Sequence, residues 1–115
     1  MALVKIIRNN TAIKARVANG EKRMVSALTE QVVKDSNIFC RQDQGTLMSS
    51  ALIASQPERG LAIWNTAYAK RVYYTGTPST DVNPNASLMW VEKARSAYGD
   101  EWEKLAQKTF KEGMG

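Results

Sequence analysis

The amino-acid sequence predicts an α+β fold, in which two long amphipathic helices pack on a small antiparallel sheet beside a long exposed loop. Apolar residues recur at three- and four-residue spacing over 11–35 and 87–112, which is the periodicity of a helix with one buried face. Runs rich in β-branched and apolar residues at 2–8 and 53–65 favour strands. Residues 75–87 contain almost nothing apolar, which is typical of an exposed loop. With 115 residues, the whole chain is expected to form one domain.

The first half of the chain is predicted to contain a strand and two helices. The strand over 2–8 ends at the turn signal Asn9-Asn10. The first long helix follows over 11–35, and its apolar stripe consists of Ile13, Val17, Met24, Leu28 and Val32. Thr46 then opens a helix of one or two turns that reaches Leu52.

A β-hairpin is predicted around Pro57-Glu58-Arg59-Gly60. Proline presets φ and glycine accepts a positive φ, so this tetrapeptide suits a tight turn between the apolar stretches 53–56 and 61–65. Trp64 is expected to be buried on the inner face of the hairpin, beneath the first long helix.

The second half is predicted to be mainly helical outside the loop. A short helix is expected over 66–74, followed by the exposed loop 75–87. The second long helix then occupies 87–112, and Gly99-Asp100 leaves open a break within it. Residues 113–115 are expected to fray as a tail.

The composition argues against the common classes of enzyme. The chain has no histidine and a single cysteine, Cys40, which excludes catalytic triads that use histidine, cysteine–histidine pairs and most zinc sites. The acids Asp100, Glu101 and Glu103 point to different sides of a helix, so they do not form a catalytic pair. We therefore expect no catalytic residue, no cofactor and no metal, and no membrane-spanning segment is predicted.

The positive charge is concentrated in the first third of the chain. Residues 1–34 carry a net charge of +5, and the remaining residues sum to zero. This distribution suits a basic surface that meets DNA or an acidic partner, but it also suits an ordinary solvated helix face.

Three blocks of residues occur in a specific order along the chain. They are Gly45-x-Leu47-x-x-Ser50, then Trp64-Asn65-x-x-Tyr68-Ala69-x-x-Val72-Tyr73-Tyr74-x-Gly76, then Asn83-Pro84-Asn85-Ala86-Ser87-x-x-Trp90-x-x-Lys93-Ala94. Over roughly residues 11–110, this order resembles the minor capsid proteins of long-tailed bacteriophages, in particular the neck group similar to tail-completion proteins.

The resemblance implies a structural protein of the virion neck, assembled in the host cytoplasm. It implies a homo-oligomeric ring that joins head and tail, with a head-closure or connector protein on one side and a tail-terminator protein on the other. It leaves open a weak contact with DNA in the channel, and a small basic nucleic-acid-binding protein is the alternative function. The residues expected to make these interactions are Arg16, Arg23, Lys34, Tyr73, Tyr74, Asp81, Asn83 and Asn85.

Overall fold

A computed structural model describes residues 2–41, 46–80 and 83–115, with side chains from residue 12 onward. Four α-helices occur in these ranges: α1 (Ala2–Ile38), α2 (Thr46–Ala54), α3 (Ala69–Tyr74) and α4 (Trp90–Met114). A 3₁₀ turn at Pro57–Arg59 follows α2. The described part of the chain contains no β-strand, so the predicted α+β fold with its small antiparallel sheet is wrong and the fold is helical.

The predicted strand over 2–8 is the first part of α1. A strand must donate and accept its backbone hydrogen bonds across to a neighbouring strand, whereas a helix satisfies them within itself. Since the described ranges contain no partner strand, a helix is the conformation that satisfies the backbone hydrogen bonds of residues 2–8. Asn9 and Asn10, interpreted as a turn, lie within α1 at a cost of less than about 1 kcal/mol each.

The predicted hairpin is replaced by a helix, a turn and an extended segment. The turn itself is confirmed, because Gly60 has a φ of 71° and its N–H donates to the Pro57 carbonyl. One antiparallel bridge joins Gln56 to Leu61, but Ile53 belongs to α2. Serine hydroxyls then accept backbone hydrogen bonds in place of a second strand. The Ile63 N–H donates to Ser55 Oγ at 2.9 Å, and the Asn65 N–H donates to Ser50 Oγ at 3.1 Å.

The helices α1 and α4 form an antiparallel pair. Gly20 lies against Phe110 and Met114 near one end, and the rings of Phe39 and Tyr98 lie 6.3 Å apart near the other. Helix α4 begins at Trp90 rather than 87 and runs through Gly99 without a break. Residues 113 and 114, expected to fray, are helical and half-buried.

The buried core lies where the C-terminal end of α1 meets the other three helices. Its fully buried members come from four different segments of the chain: Cys40, Leu47, Ala69 and Trp90. Trp64, predicted inside a hairpin, is half-buried here. Its ring packs edge-on against Trp90 at 6.0 Å, and its Nε1 donates to Asn37 Oδ1 at 2.9 Å.

Candidate functional site

Two of the predicted basic interaction residues join α1 to the last turn of α4. Arg16 donates from Nε to the Met114 carbonyl at 3.0 Å and from Nη2 to the Gly115 carbonyl at 3.2 Å. Arg23 Nη2 lies 3.0 Å from Glu112 Oε2. Free carbonyls and partial negative charge collect at the C-terminal end of a helix, so cations stabilise it. Both arginines thus have partners within the subunit, although their side chains remain partly open to solvent.

Lys34 is the third basic candidate, and it is exposed on α1. Its spacing places it on the same side of the helix as Arg16 and Arg23, as the sequence predicts. The structure leaves Lys34 available to a partner but gives the two arginines an internal role. The three cations therefore do not act as one continuous free surface.

The polar loop before α4 is attached to the end of α1 through Asn83. This side chain is 8% exposed, and its Nδ2 donates to the carbonyls of Ile38 and Cys40 at 2.8 and 2.9 Å. It therefore caps the last carbonyl of α1 and also binds the segment that follows the helix. Asn85 is exposed, and its backbone N–H donates to Asn83 Oδ1 at 3.0 Å. Asp81 lies outside the described residues.

The two adjacent tyrosines are placed differently. Tyr73 is half-buried, and its ring packs edge-on against Trp90 at 4.6 Å. Burial raises the pKa of the Tyr73 hydroxyl. Tyr74 is 58% exposed, and its ring lies against Tyr73 at 4.8 Å. Tyr74 is thus the member of the pair that a partner can reach.

Beside Tyr73, the residue before α4 has an unusual backbone conformation. Met89 has a φ of 50° and a ψ of 54°, which is rare for a residue with a side chain. Its N–H donates to the Tyr73 carbonyl at 2.8 Å, and its side chain is partly exposed. Met89, which directly precedes the buried Trp90, and Tyr74 therefore each place a large side chain at the surface.

Sequence reasoning missed the exposed side of α2. Leu52 is 73% exposed and Ile53 is 85% exposed, while Leu47 and Ala51 on the same helix are buried. The available signal was the absence of any charged residue between 46 and 57. An uncharged helix with apolar residues on more than one side has more apolar surface than one contact buries.

Sequence reasoning also missed a buried polar link between α1 and α4. Asp35 is buried, and its carboxylate accepts from Trp102 Nε1 at 2.6 Å and from Gln31 Nε2 at 3.0 Å. No spacing rule relates residues 35 and 102, so only the tertiary structure reveals the pair. Losing the Trp102 donor would leave one buried oxygen of the Asp35 carboxylate without a partner. This bond therefore favours one orientation of α4 against α1.

The described side chains include no cluster of metal ligands and no exposed thiol. No group of histidine, cysteine, aspartate or glutamate in the described ranges is arranged to hold a metal ion. The lone thiol, Cys40, is fully buried, and this burial raises its pKa to about 12, so it is a poor nucleophile near neutral pH. Among the described helices, none combines the length and apolar character that crossing a bilayer requires.

Comparison with known proteins identifies the family. The model of a family described as minor capsid protein matches residues 4–110. No curated protein matches the chain, and neither does any solved structure. The family match spans nearly the whole chain and overlaps all four described helices. The chain therefore belongs to the minor capsid protein family, which confirms the resemblance to bacteriophage minor capsid proteins and gives the protein a structural role in a virion.

Proposed function

We propose that this protein is a non-enzymatic subunit of a homo-oligomeric ring in the phage neck, where it joins or completes the head–tail interface. The observation that carries the proposal is the large surface that the subunit leaves uncovered. The chain exposes 7928 Å², whereas a compact monomer of the same mass exposes about 6,300 Å². The excess is about 1,600 Å².

This excess matches the needs of a ring subunit. A standard interface covers about 800 Å² on each partner, and a subunit in a closed ring has two such neighbours. The shape agrees, because the Cα radius of gyration is 18.6 Å against about 13 Å for a compact chain of this length. A subunit of this kind buries the excess surface in contacts with its neighbours when the ring assembles.

The position in the neck is supported by the order of sequence motifs rather than by any contact within the subunit. That order is similar to the neck group of minor capsid proteins, and we infer the same neighbours: a head-closure or connector protein and a tail-terminator protein. Exposed Tyr74, Met89 and Lys34 are available to these neighbours. Where α1 faces the channel, its basic side contacts DNA weakly.

The alternative function, nucleic-acid binding, is not favoured by the positions of Arg16 and Arg23. Tight DNA binding by a small basic protein depends on several Lys and Arg side chains that are free to reach phosphates. Here Arg16 and Arg23 are engaged with the end of α4. Nanomolar DNA affinity that falls steeply with added salt would restore this alternative.

The proposal is tested by deleting the gene from the phage and counting particles by electron microscopy. We expect DNA-filled heads and separate tails, and joining should return when the protein is supplied from a plasmid. Cryo-electron microscopy of wild-type necks should then show a ring of this chain between head and tail. Normally joined virions from the deletion phage would contradict the proposal.

A further inference from the structure

The N-terminal part of α1 extends past the last turn of α4, which ends beside Arg16. Residues 12 to 15 are all exposed, and four successive helical residues cover every side of a helix. Helix α4 therefore does not cover α1 at this point, and α1 continues to Ala2. We call residues 2–15 the arm; as a helix it is about 21 Å long.

The sequence of the arm is amphipathic on this helical backbone. Leu3, Ile6 and Ile7 occupy positions on the same side of the helix as Ile13, and Ile13 is 50% exposed. The basic residues of the arm are Lys5, Arg8 and Lys14, and the first acidic residue of the chain is Glu21. The arm thus offers one apolar side and a purely positive charge.

A second uncovered apolar surface lies beside the other end of α1. It consists of Leu52 and Ile53 on α2, and we call it the α2 face. Helix α2 lies beside the C-terminal end of α1, since Asn37 Nδ2 donates to the Met48 carbonyl at 3.4 Å. The α2 face contains no charge that would repel a basic helix.

The arm cannot cover the α2 face of its own subunit. From residue 15 to residue 37, α1 advances about 33 Å, and the arm extends in the opposite direction from α2. The two surfaces can meet only when they belong to different copies. A contact between opposite ends of identical subunits is heterologous, and such contacts build rings when the rotation closes.

We propose that the arm of one copy lies on the α2 face of the next copy, an inference that rests on the proposed ring and names its subunit contact. Charge disfavours one rival pairing, that of two arms. Two arms packed on each other would bring Lys5, Arg8 and Lys14 of each copy together, which like-charge repulsion opposes. The uncharged α2 face carries no such penalty.

The inference is tested by cross-linking with single-cysteine additions and a flexible bis-maleimide. Ile13→Cys marks the arm and Ile53→Cys marks the α2 face, and both positions are exposed. The native Cys40 is buried with a raised pKa, so the parent protein provides the unreactive background. We expect a cross-linked dimer from a mixture of the two variants, and a ladder of higher species from the double variant.

Four results would overturn the arm contact. Dimers from Ile13→Cys alone would indicate paired arms, and dimers from Ile53→Cys alone would indicate paired α2 faces. A mixture without cross-links, at concentrations where native mass spectrometry finds rings, would exclude the arm contact and leave the ring intact. A chain that stays monomeric at every concentration and is absent from isolated necks would overturn the ring as well.

A charge substitution gives an independent measurement. Ile53→Glu should weaken self-association at least about tenfold, which is typical of losing a central apolar contact. Gln107→Glu adds the same charge at an exposed position of α4 and should leave self-association unchanged. Equal association constants for the two variants would contradict the inference.

Discussion

Asn83 and Asn85 are two residues apart in a polar loop, yet they have different roles in the subunit. The Asn83 side chain is buried and binds the carbonyls of Ile38 and Cys40. Asn85 is exposed and contributes its backbone N–H. Both were predicted as interaction residues, but only the fold shows that Asn83 caps α1 from 45 residues away.

Asn83→Ala should therefore lower the free energy of unfolding by about 1–3 kcal/mol, because buried carbonyls lose their donor. Asn85→Ala is the matched control and should change it by less than about 0.5 kcal/mol, since the backbone N–H remains. Urea unfolding followed by circular dichroism measures both. Equal midpoints for the two variants would refute the capping role.

The buried Cys40 thiol should make the free energy of unfolding depend on pH in alkaline solution. Burial raises the pKa of the folded thiol from its ordinary 9.0 to about 12. As the pH rises from about 9 towards 12, the unfolded chain loses this proton and the folded chain keeps it, so the folded state becomes less favoured. We expect the free energy of unfolding to fall more steeply with pH in the parent than in Cys40→Ala. Parallel pH profiles would show that Cys40 does not titrate in this way.

At the scale of elements, α1 and α4 approach closely enough to require glycine. A Cβ at Gly20 would lie 2.7 Å from the Phe110 carbonyl oxygen, and one at Gly113 would lie 2.6 Å from that of Asn19. These distances are shorter than van der Waals contact, and backbone atoms cannot move aside as a flexible side chain can. The close packing of α1 against α4 therefore requires glycine at positions 20 and 113.

Gly20→Ala should destabilise the protein by about 1–3 kcal/mol through this clash. Gly99→Ala is the control of opposite sign. A Cβ there has Arg95 Cγ at 3.9 Å as its nearest neighbour, and alanine is the better helix former by about 1 kcal/mol. Thermal unfolding should move in opposite directions for the two variants, and a stabilised Gly20→Ala protein would contradict the close approach.

At the scale of the whole molecule, the subunit combines a packed helical body with a projecting arm. The exposed residues 12 to 15 mark where the arm leaves the body. The last turn of α4 belongs to the body, because Glu112 and Gly113 contact α1. Stability should therefore depend on α1 from Arg16 onward, whereas the arm should contribute to assembly.

Deleting residues 2–11 should change the free energy of unfolding by less than about 1 kcal/mol, since an isolated helical extension is marginal by itself. The radius of gyration should fall below the 18.6 Å of the full chain. Deleting residues 112–115 is the contrasting truncation and should destabilise the body. X-ray scattering and calorimetry measure the two effects, and a body that unfolds without the arm would show that our division is wrong.

The sequence alone identified the family and the elements that depend on local patterns. The apolar stripe of 11–35, the turn at 57–60 and all but the first three residues of the helix predicted over 87–112 lie inside observed structure, because periodicity and turn chemistry are properties of neighbouring residues. The order of the motif blocks indicated minor capsid proteins, and the family match confirmed it.

Tertiary structure decided everything that depends on distant partners. Residues 2–8 have the composition of a strand but are helical, because no neighbouring strand among the described residues pairs with them. Polar side chains expected to contact partners instead bind helix ends within the subunit, as Arg16, Arg23 and Asn83 do. The chemical type of a side chain determines which hydrogen bonds and ion pairs it can make. Only the fold determines whether a carbonyl, a carboxylate or solvent lies next to it.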